Sequence, residues 1–193
     1  MDATPHIYVD ADACPVKSEA ARVAERHGLA VTYVANAWLQ VPRGPRVRMQ
    51  VVSGAFDAAD DWIAGRVVPA DIVITADIPL AARCLQQGAS VLGPSGKAFT
   101  DDNIGNALAT REIMSDLRAY GVGGGPPPFG PRDRSRFLEA LERVVREARR
   151  RRAAGTAGPA DPANPAAGSL SGDGNDAAAQ PRPMRPARPC DGS

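Results

Sequence analysis

The chain has 193 residues, 44% hydrophobic and 23% charged, with a formal net charge of +1. That length predicts one domain plus additions rather than two full domains, and no apolar run nears the roughly 20 residues needed to cross a bilayer. Cys14, Cys84 and Cys190 are widely spaced and odd in number, which suggests neither a disulfide framework nor a zinc site; with an N-terminus, MDATPHIYVD, that lacks a basic then apolar pattern, they predict a cytoplasmic protein.

Ile7 to Asp10 reads as a buried strand with an unusual end. In IYVDADACPVK, residues 7–17, an apolar run gives way to two aspartates, then a cysteine and a proline. Two anions side by side repel, so something must offset that cost, and a bound cation is the first candidate. Pro15 to His27 follows with Val16, Ala20, Val23, Ala24 and His27 at helical spacing; Pro15 suits the first turn and Gly28 the stop. LAVTYVAN and VRMQVVS read as strands two and three, and a helix is expected from about Ala58 to Val67. DIVITAD is a fourth strand, IPLAARCLQQG a helix and ASVLG a fifth strand.

This alternation predicts an α/β fold, a three-layer parallel sheet covered by helices on both faces. Helices are expected over Asp101–Tyr120 and Arg132–Arg152, the second with a stripe of Phe137, Leu138, Leu141, Val144, Val145 and Ala148. Between them GVGGGPPPFGP is a loop. From Ala153 on, alanine, proline, glycine and aspartate replace large apolar residues, so residues 153–193 are expected to be a disordered tail behind a folded domain of residues 1–152.

In an open parallel sheet, ligands bind beyond the carboxyl ends of the strands, where strand order reverses. Asp10 and Asp12 follow strand one, and Asp77 closes strand four in VITADIPLA. If those strands are neighbours, the three carboxylates converge. In FDAADDWI, Asp57, Asp60 and Asp61 share a narrow helical arc beside a core stripe of Phe56, Ala59 and Ile63, and Asp60 lies closest to that stripe. Asp101 and Asp102, after strand five, are a further source. Clustered carboxylates raise each other's pKa, and magnesium or manganese, which take oxygen ligands, relieve that repulsion. Such ions activate water and stabilise charge on a phosphoryl group, so a metal-dependent phosphodiester hydrolase is the natural reaction class. Aspartates also cap helices, a role that suits Asp57 and Asp101 equally well.

Other chemistry is weaker. Cys14 precedes Pro15 at a helix start, where the dipole favours a thiolate, but no arginine completes a cysteine-phosphatase motif, so a buried structural thiol is expected. The D-x-D of Asp10 and Asp12 is also similar to haloacid dehalogenase phosphatases, as nucleophile and general acid or base. LGPSGKAFT is a near miss for a phosphate-binding loop around Lys97. Lys17 either holds a substrate phosphate or neutralises Asp12. Arg134 and Arg136, in DRSRF, are either substrate contacts or surface charges. Nine arginines between Arg132 and Arg152, and the loop cluster Arg43, Arg46 and Arg48, are patches suited to phosphates or simply solvated.

DADACPVK, FDAADDWI, VITADIPLAARCLQQGASVLGPSG and DRSRF together resemble the YaiI/YqxD family of uncharacterised bacterial proteins, over nearly all of residues 6–146. That family is similar in strand order and strand-end acids to PIN-domain ribonucleases, which cut RNA with magnesium or manganese. The resemblance implies a PIN-like topology, Asp10 as first acid, Asp60 as helical acid, Asp77 as the acid of T-x-D, and Asp102 after strand five. It departs in one respect: PIN domains usually offer a glutamate from a helix where this chain offers aspartates. The expectation is a nuclease acting on nucleic acid, RNA before DNA, with Asp10, Asp12, Asp60 and Asp77 as metal ligands and catalytic groups. Lys17, Arg134 and Arg136 are then candidate substrate contacts. The alternative is a non-catalytic nucleic-acid-binding or scaffold domain.

Overall fold

The computed structural model describes residues 4–12, 14–54, 57–119 and 129–156. Eleven elements follow in order: β1 (Ile7–Asp10), α1 (Lys17–Arg26), β2 (Val31–Ala35), β3 (Val47–Val51), α2 (Ala58–Ala64), β4 (Ile72–Ile74), α3 (Ile78–Gln86), β5 (Ser90–Leu92), β6 (Ala98–Phe99), α4 (Asp101–Ala119) and α5 (Pro131–Thr156). The strands form one sheet in the order β3-β2-β1-β4-β5-β6. All pairs are parallel except β5 with β6, which is antiparallel. The chain builds outward from β1 through β2 to β3, then returns to the other side of β1 with β4. Strand order therefore reverses between β1 and β4, where a ligand crevice is expected.

Strand alternation sorts the core into two layers. Ile7 and Val9 of β1, Val31 and Tyr33 of β2, and Ile72 and Ile74 of β4 pack against Val16, Val23, Phe137 and Leu141 beside α1 and α5. Their neighbours Val34, Val73 and Val91 turn the other way, onto Ala59, Ile63, Leu80 and Cys84 of α2 and α3. A sheet covered on both faces buries near-continuous apolar runs, which is why IYV, VTYVA and IVI contain so little polar chemistry.

Helix α5 is tied to the domain by charge as well as by its apolar stripe. Arg134 reaches Glu19 at 2.7 Å, Arg26 and His27 reach Glu142 at 2.6 and 2.7 Å, and Arg152 reaches the buried Asp71 at 3.0 Å. Arg149 and Arg151 bond the His27 carbonyl and the Ser90 hydroxyl. Four arginines of the basic run thus act within the fold. Glu19 is buried, and its Oε2 has no hydrogen-bond partner among the described residues, so Arg134 carries most of its compensation. Arg134→Ala should destabilise the domain by about 1–3 kcal/mol, while Arg136→Ala should stay within about 0.5 kcal/mol; urea unfolding midpoints separate the two.

Three differences from expectation stand out. LGPSGKAFT, a near miss for a phosphate-binding loop, turns through a β5–β6 hairpin: the Gly93 amide donates to the Lys97 carbonyl at 2.8 Å, and the Gly96 amide to the Gly93 carbonyl at 2.9 Å. Gly96 is required there, because its φ is +84° and a Cβ would sit 2.8 Å from the Arg136 carbonyl carbon of α5. The sheet accordingly gains an antiparallel edge strand that two residues could not signal by alternation. Helix α2 stops at Ala64, and α5 continues to Thr156, past the compositional change at Ala153. Phe56, Tyr120, residues 121–128 and everything after residue 156, Cys190 included, lie outside the described residues. Among the described residues no helix is long and apolar enough to cross a membrane.

Candidate functional site

The parallel pairing of β1 with β4 brings their carboxyl ends to one rim of the sheet. Thr75, buried just past β4, links the two sides: its Oγ1 donates to Asp10 Oδ2 at 2.8 Å and accepts from the Asp77 amide at 2.9 Å. Asp77 begins α3, and its Oδ1 accepts from the Leu80 amide at 2.8 Å. It is therefore a helix cap as well as a rim acid, which holds its carboxylate in one rotamer. Asp57, at the corresponding position of α2, makes no side-chain cap bond.

Asp60 reaches the same rim from α2 and is half-buried, whereas Asp61 is exposed and pairs with Arg83 at 2.7 Å. The electrostatics show that these acids sense one another. Burial pushes the Asp60 carboxyl up to about 6, and the negative charges of Asp77, Asp10 and Asp57 push the same way against a weaker pull from Arg83. The Asp10 carboxyl is also raised, first by burial; the Thr75 hydroxyl opposes this, and Asp12 and Asp77 add to it.

Asp12 is differently engaged. Its Oδ2 accepts from both the amide and the Nδ2 of Asn36, at 3.2 and 3.0 Å, so it anchors the start of the β2–β3 loop. A dehalogenase-type phosphatase would need that carboxylate for proton transfer beside Asp10. Asp101 and Asp102 are exposed on the first turn of α4 and are not among the charges acting on Asp10 or Asp60.

Two of the three candidate substrate contacts also bond within the fold. Lys17 Nζ donates to the Cys14 carbonyl at 2.9 Å, closing the turn before α1. Arg134 holds Glu19 and also donates to the Pro15 carbonyl at 3.3 Å. Arg136 is exposed and lies 3.9 Å from Asp133. Burial pushes the Cys14 thiol up to about 11, with the Val16 amide and Lys17 opposing it, so the helix start does not make a thiolate.

Sequence reasoning missed Thr75, Asn36 and Glu19. The T-x-D spacing was the available signal for Thr75, since a hydroxyl two residues before an acid at a strand end can bond both that turn and the neighbouring strand. Nothing local marks Asn36 or Glu19; their partners lie 24 and 115 residues away.

Among the described residues no group of three or more histidine, cysteine, aspartate or glutamate side chains is gathered to hold a metal by itself. Magnesium does not require such a cage: it is commonly bound through one or two carboxylates, waters and substrate phosphate oxygens. Asp10, Asp60 and Asp77 offer hard oxygen donors of the kind such an ion takes, without forming a three-carboxylate cage.

Because Asp60 titrates near 6 when folded and its ordinary value is 3.8, folding binds a proton between those values. The stabilising contribution is full below about 3.8 and disappears as pH rises through 6. In chelator, Asp60→Asn should therefore raise the melting temperature at neutral pH and flatten its dependence between pH 4 and 6, measured by scanning calorimetry.

Comparison with known proteins gives one consistent result. A family model described as "Uncharacterized BCR, YaiI/YqxD family" matches residues 8–147. A UPF0178 protein of Rhodopseudomonas palustris strain TIE-1 is 56% identical over 145 residues, covering 75% of this chain and 92% of its own. One of Rhodospirillum rubrum is 58% identical over 141 residues, covering 72% and 94%, and one of Agrobacterium fabrum is 57% identical over 144 residues, covering 74% and 94%. No solved structure matches.

Proposed function

The chain belongs to the YaiI/YqxD family, and from that premise we propose that its acidic rim is the active centre of a divalent-metal-dependent hydrolase cleaving phosphodiester bonds in RNA. One observation supports this above the rest: Thr75 donates to the Asp10 carboxylate at 2.8 Å and accepts from the Asp77 backbone amide at 2.9 Å, joining the end of β1 to the start of α3 where strand order reverses. Buried acids that raise one another's pKa are costly unless they serve a cation or a proton transfer.

Asp10 and Asp77 would hold magnesium or manganese, with Asp60 completing the rim from α2. When bound, such an ion supplies positive charge to the phosphoryl oxygens and lowers the pKa of water. The chain's own part is orientation. Thr75 orients Asp10, the α3 cap orients Asp77, and the half-buried Asp60 carboxylate would take a proton from the attacking water.

A second reading, a nucleic-acid-binding domain without chemistry, is favoured by the absence of three gathered ligands among the described residues. Incubation with end-labelled single-stranded RNA separates them. The hydrolase reading expects fragments with manganese and none with chelator; retention of intact RNA under both conditions favours the second.

A further inference from the structure

We propose that the β2–β3 loop, NAWLQVPRGPR at residues 36–46, is a platform for single-stranded nucleic acid, with Trp38 stacking on an unpaired base and Arg43 and Arg46 holding the phosphates beside it. The inference deepens the hydrolase reading by specifying a single-stranded substrate, and it rests on that reading only for where the strand is cut.

The loop buries what it can. Leu39 and Val41 pack against the core layer that holds α1 and α5, together with Val47 and Met49. Trp38, which precedes them in the chain, is 74% exposed, more than any other large apolar side chain described. Its counterpart Trp62 shows how this fold treats an indole with no task in solvent: it lies edge-on to Tyr8 and beneath Arg66, 4.0 Å from the ring centre. No ring or cation is paired with Trp38 among the described residues.

The charges on the loop repeat the contrast. Arg134 and Arg152 of α5 are spent on carboxylates, while Arg43 and Arg46 are exposed, with no ion pair or side-chain hydrogen bond to the described residues. Trp38, Pro42 and Arg43 border a groove of about 430 Å³ floored by Val47 and Met49. An aromatic face beside the Arg43 guanidinium, with Arg46 three residues further along the loop, matches unpaired bases on a phosphate backbone; an apolar protein partner would leave both arginines without a counter-charge.

Placement joins the loop to the rim. Asn36, two residues before Trp38, is held by Asp12, which lies two residues beyond Asp10. Because β3 runs parallel to β2, the loop must cross from the carboxyl edge to the amino edge, where Val47 pairs with Val31. A strand following it would start at the acids and continue along Trp38 to the two arginines.

The test is fluorescence anisotropy in chelator, so that binding is read without cleavage, using labelled oligouridylate, oligodeoxyuridylate and a duplex of mixed sequence. Trp38→Ala should weaken single-strand binding about 10-fold or more, with Trp38→Phe restoring most of it. Arg43→Ala and Arg46→Ala should each reduce the salt slope by about 1. Comparison of oligouridylate with oligodeoxyuridylate, which differ only in the 2′-hydroxyl, tells RNA from DNA. Equal binding by wild type and Trp38→Ala, equal affinity for duplex, or a dimer dispersed by Trp38→Ala without change in RNA affinity would each overturn the platform. Hydrolysis of bis(p-nitrophenyl) phosphate, which has no base to stack, is assayed in parallel. Retained hydrolysis with failed RNA binding sinks the platform and leaves the rim reading intact; Trp38-dependent binding without hydrolysis supports the platform and sinks the rim reading alone.

Discussion

Asp10→Asn is expected to lower manganese-dependent phosphodiester hydrolysis about 100- to 10,000-fold, equivalent to roughly 3–5 kcal/mol of lost transition-state stabilisation. The substitution keeps the shape of the side chain and leaves an oxygen able to accept from Thr75, so the link across the two strands survives. What disappears is the charge that would draw a cation into the rim. Stability should hold or rise at neutral pH, because burial already disfavours the ionised Asp10. Single-turnover assays on labelled RNA, paired with thermal melts of the same preparations, separate this result from unfolding. A variant that melts like the wild type and cleaves at the wild-type rate would contradict the assignment.

Phe137→Ala is expected to cost about 3–5 kcal/mol, a fall in melting temperature on the order of 10 °C for a domain of this size. Phe137 is completely buried where α5 meets α1 and the sheet. The neighbouring backbone is fixed by Gly96, whose own position lies against Arg136 and Phe137. The site cannot readily collapse, since the hairpin after β5 presses on one side and β1 and β4 form the floor. Circular dichroism melts measure it. A loss below about 1 kcal/mol would mean that α5 is peripheral, since even modest core truncations exceed that figure.

The sequence makes the sheet and its helices legible for a specific reason. A parallel sheet covered on both faces requires runs such as IYV and IVI, and helices between them must present stripes such as Phe137, Leu141 and Val145. β6 escaped because Ala98 and Phe99 are too few to alternate, and the glycines around them imitate a phosphate loop. Asp10 and Asp77 could be placed on one rim from strand order alone. The ambiguity of Asp77 is chemical: one carboxylate can cap α3 and face a cation, and its letter does not say which. Asp12 illustrates a different limit, because its direction depends on Asn36 across the β1–β2 boundary. For Arg134 and Lys17 the sequence displayed charge but not the partner, and a cation bonded to Glu19 or to the Cys14 carbonyl reads the same as one awaiting phosphate.

The most direct measurement is an anomalous difference map from crystals grown with manganese at neutral pH. The account predicts one strong peak at the carboxyl edge of β1 and β4, coordinated by Asp10 or Asp77, with Asp60 facing it and solvent completing the shell. A map with no peak there at saturating manganese, with those side chains unchanged, would contradict it.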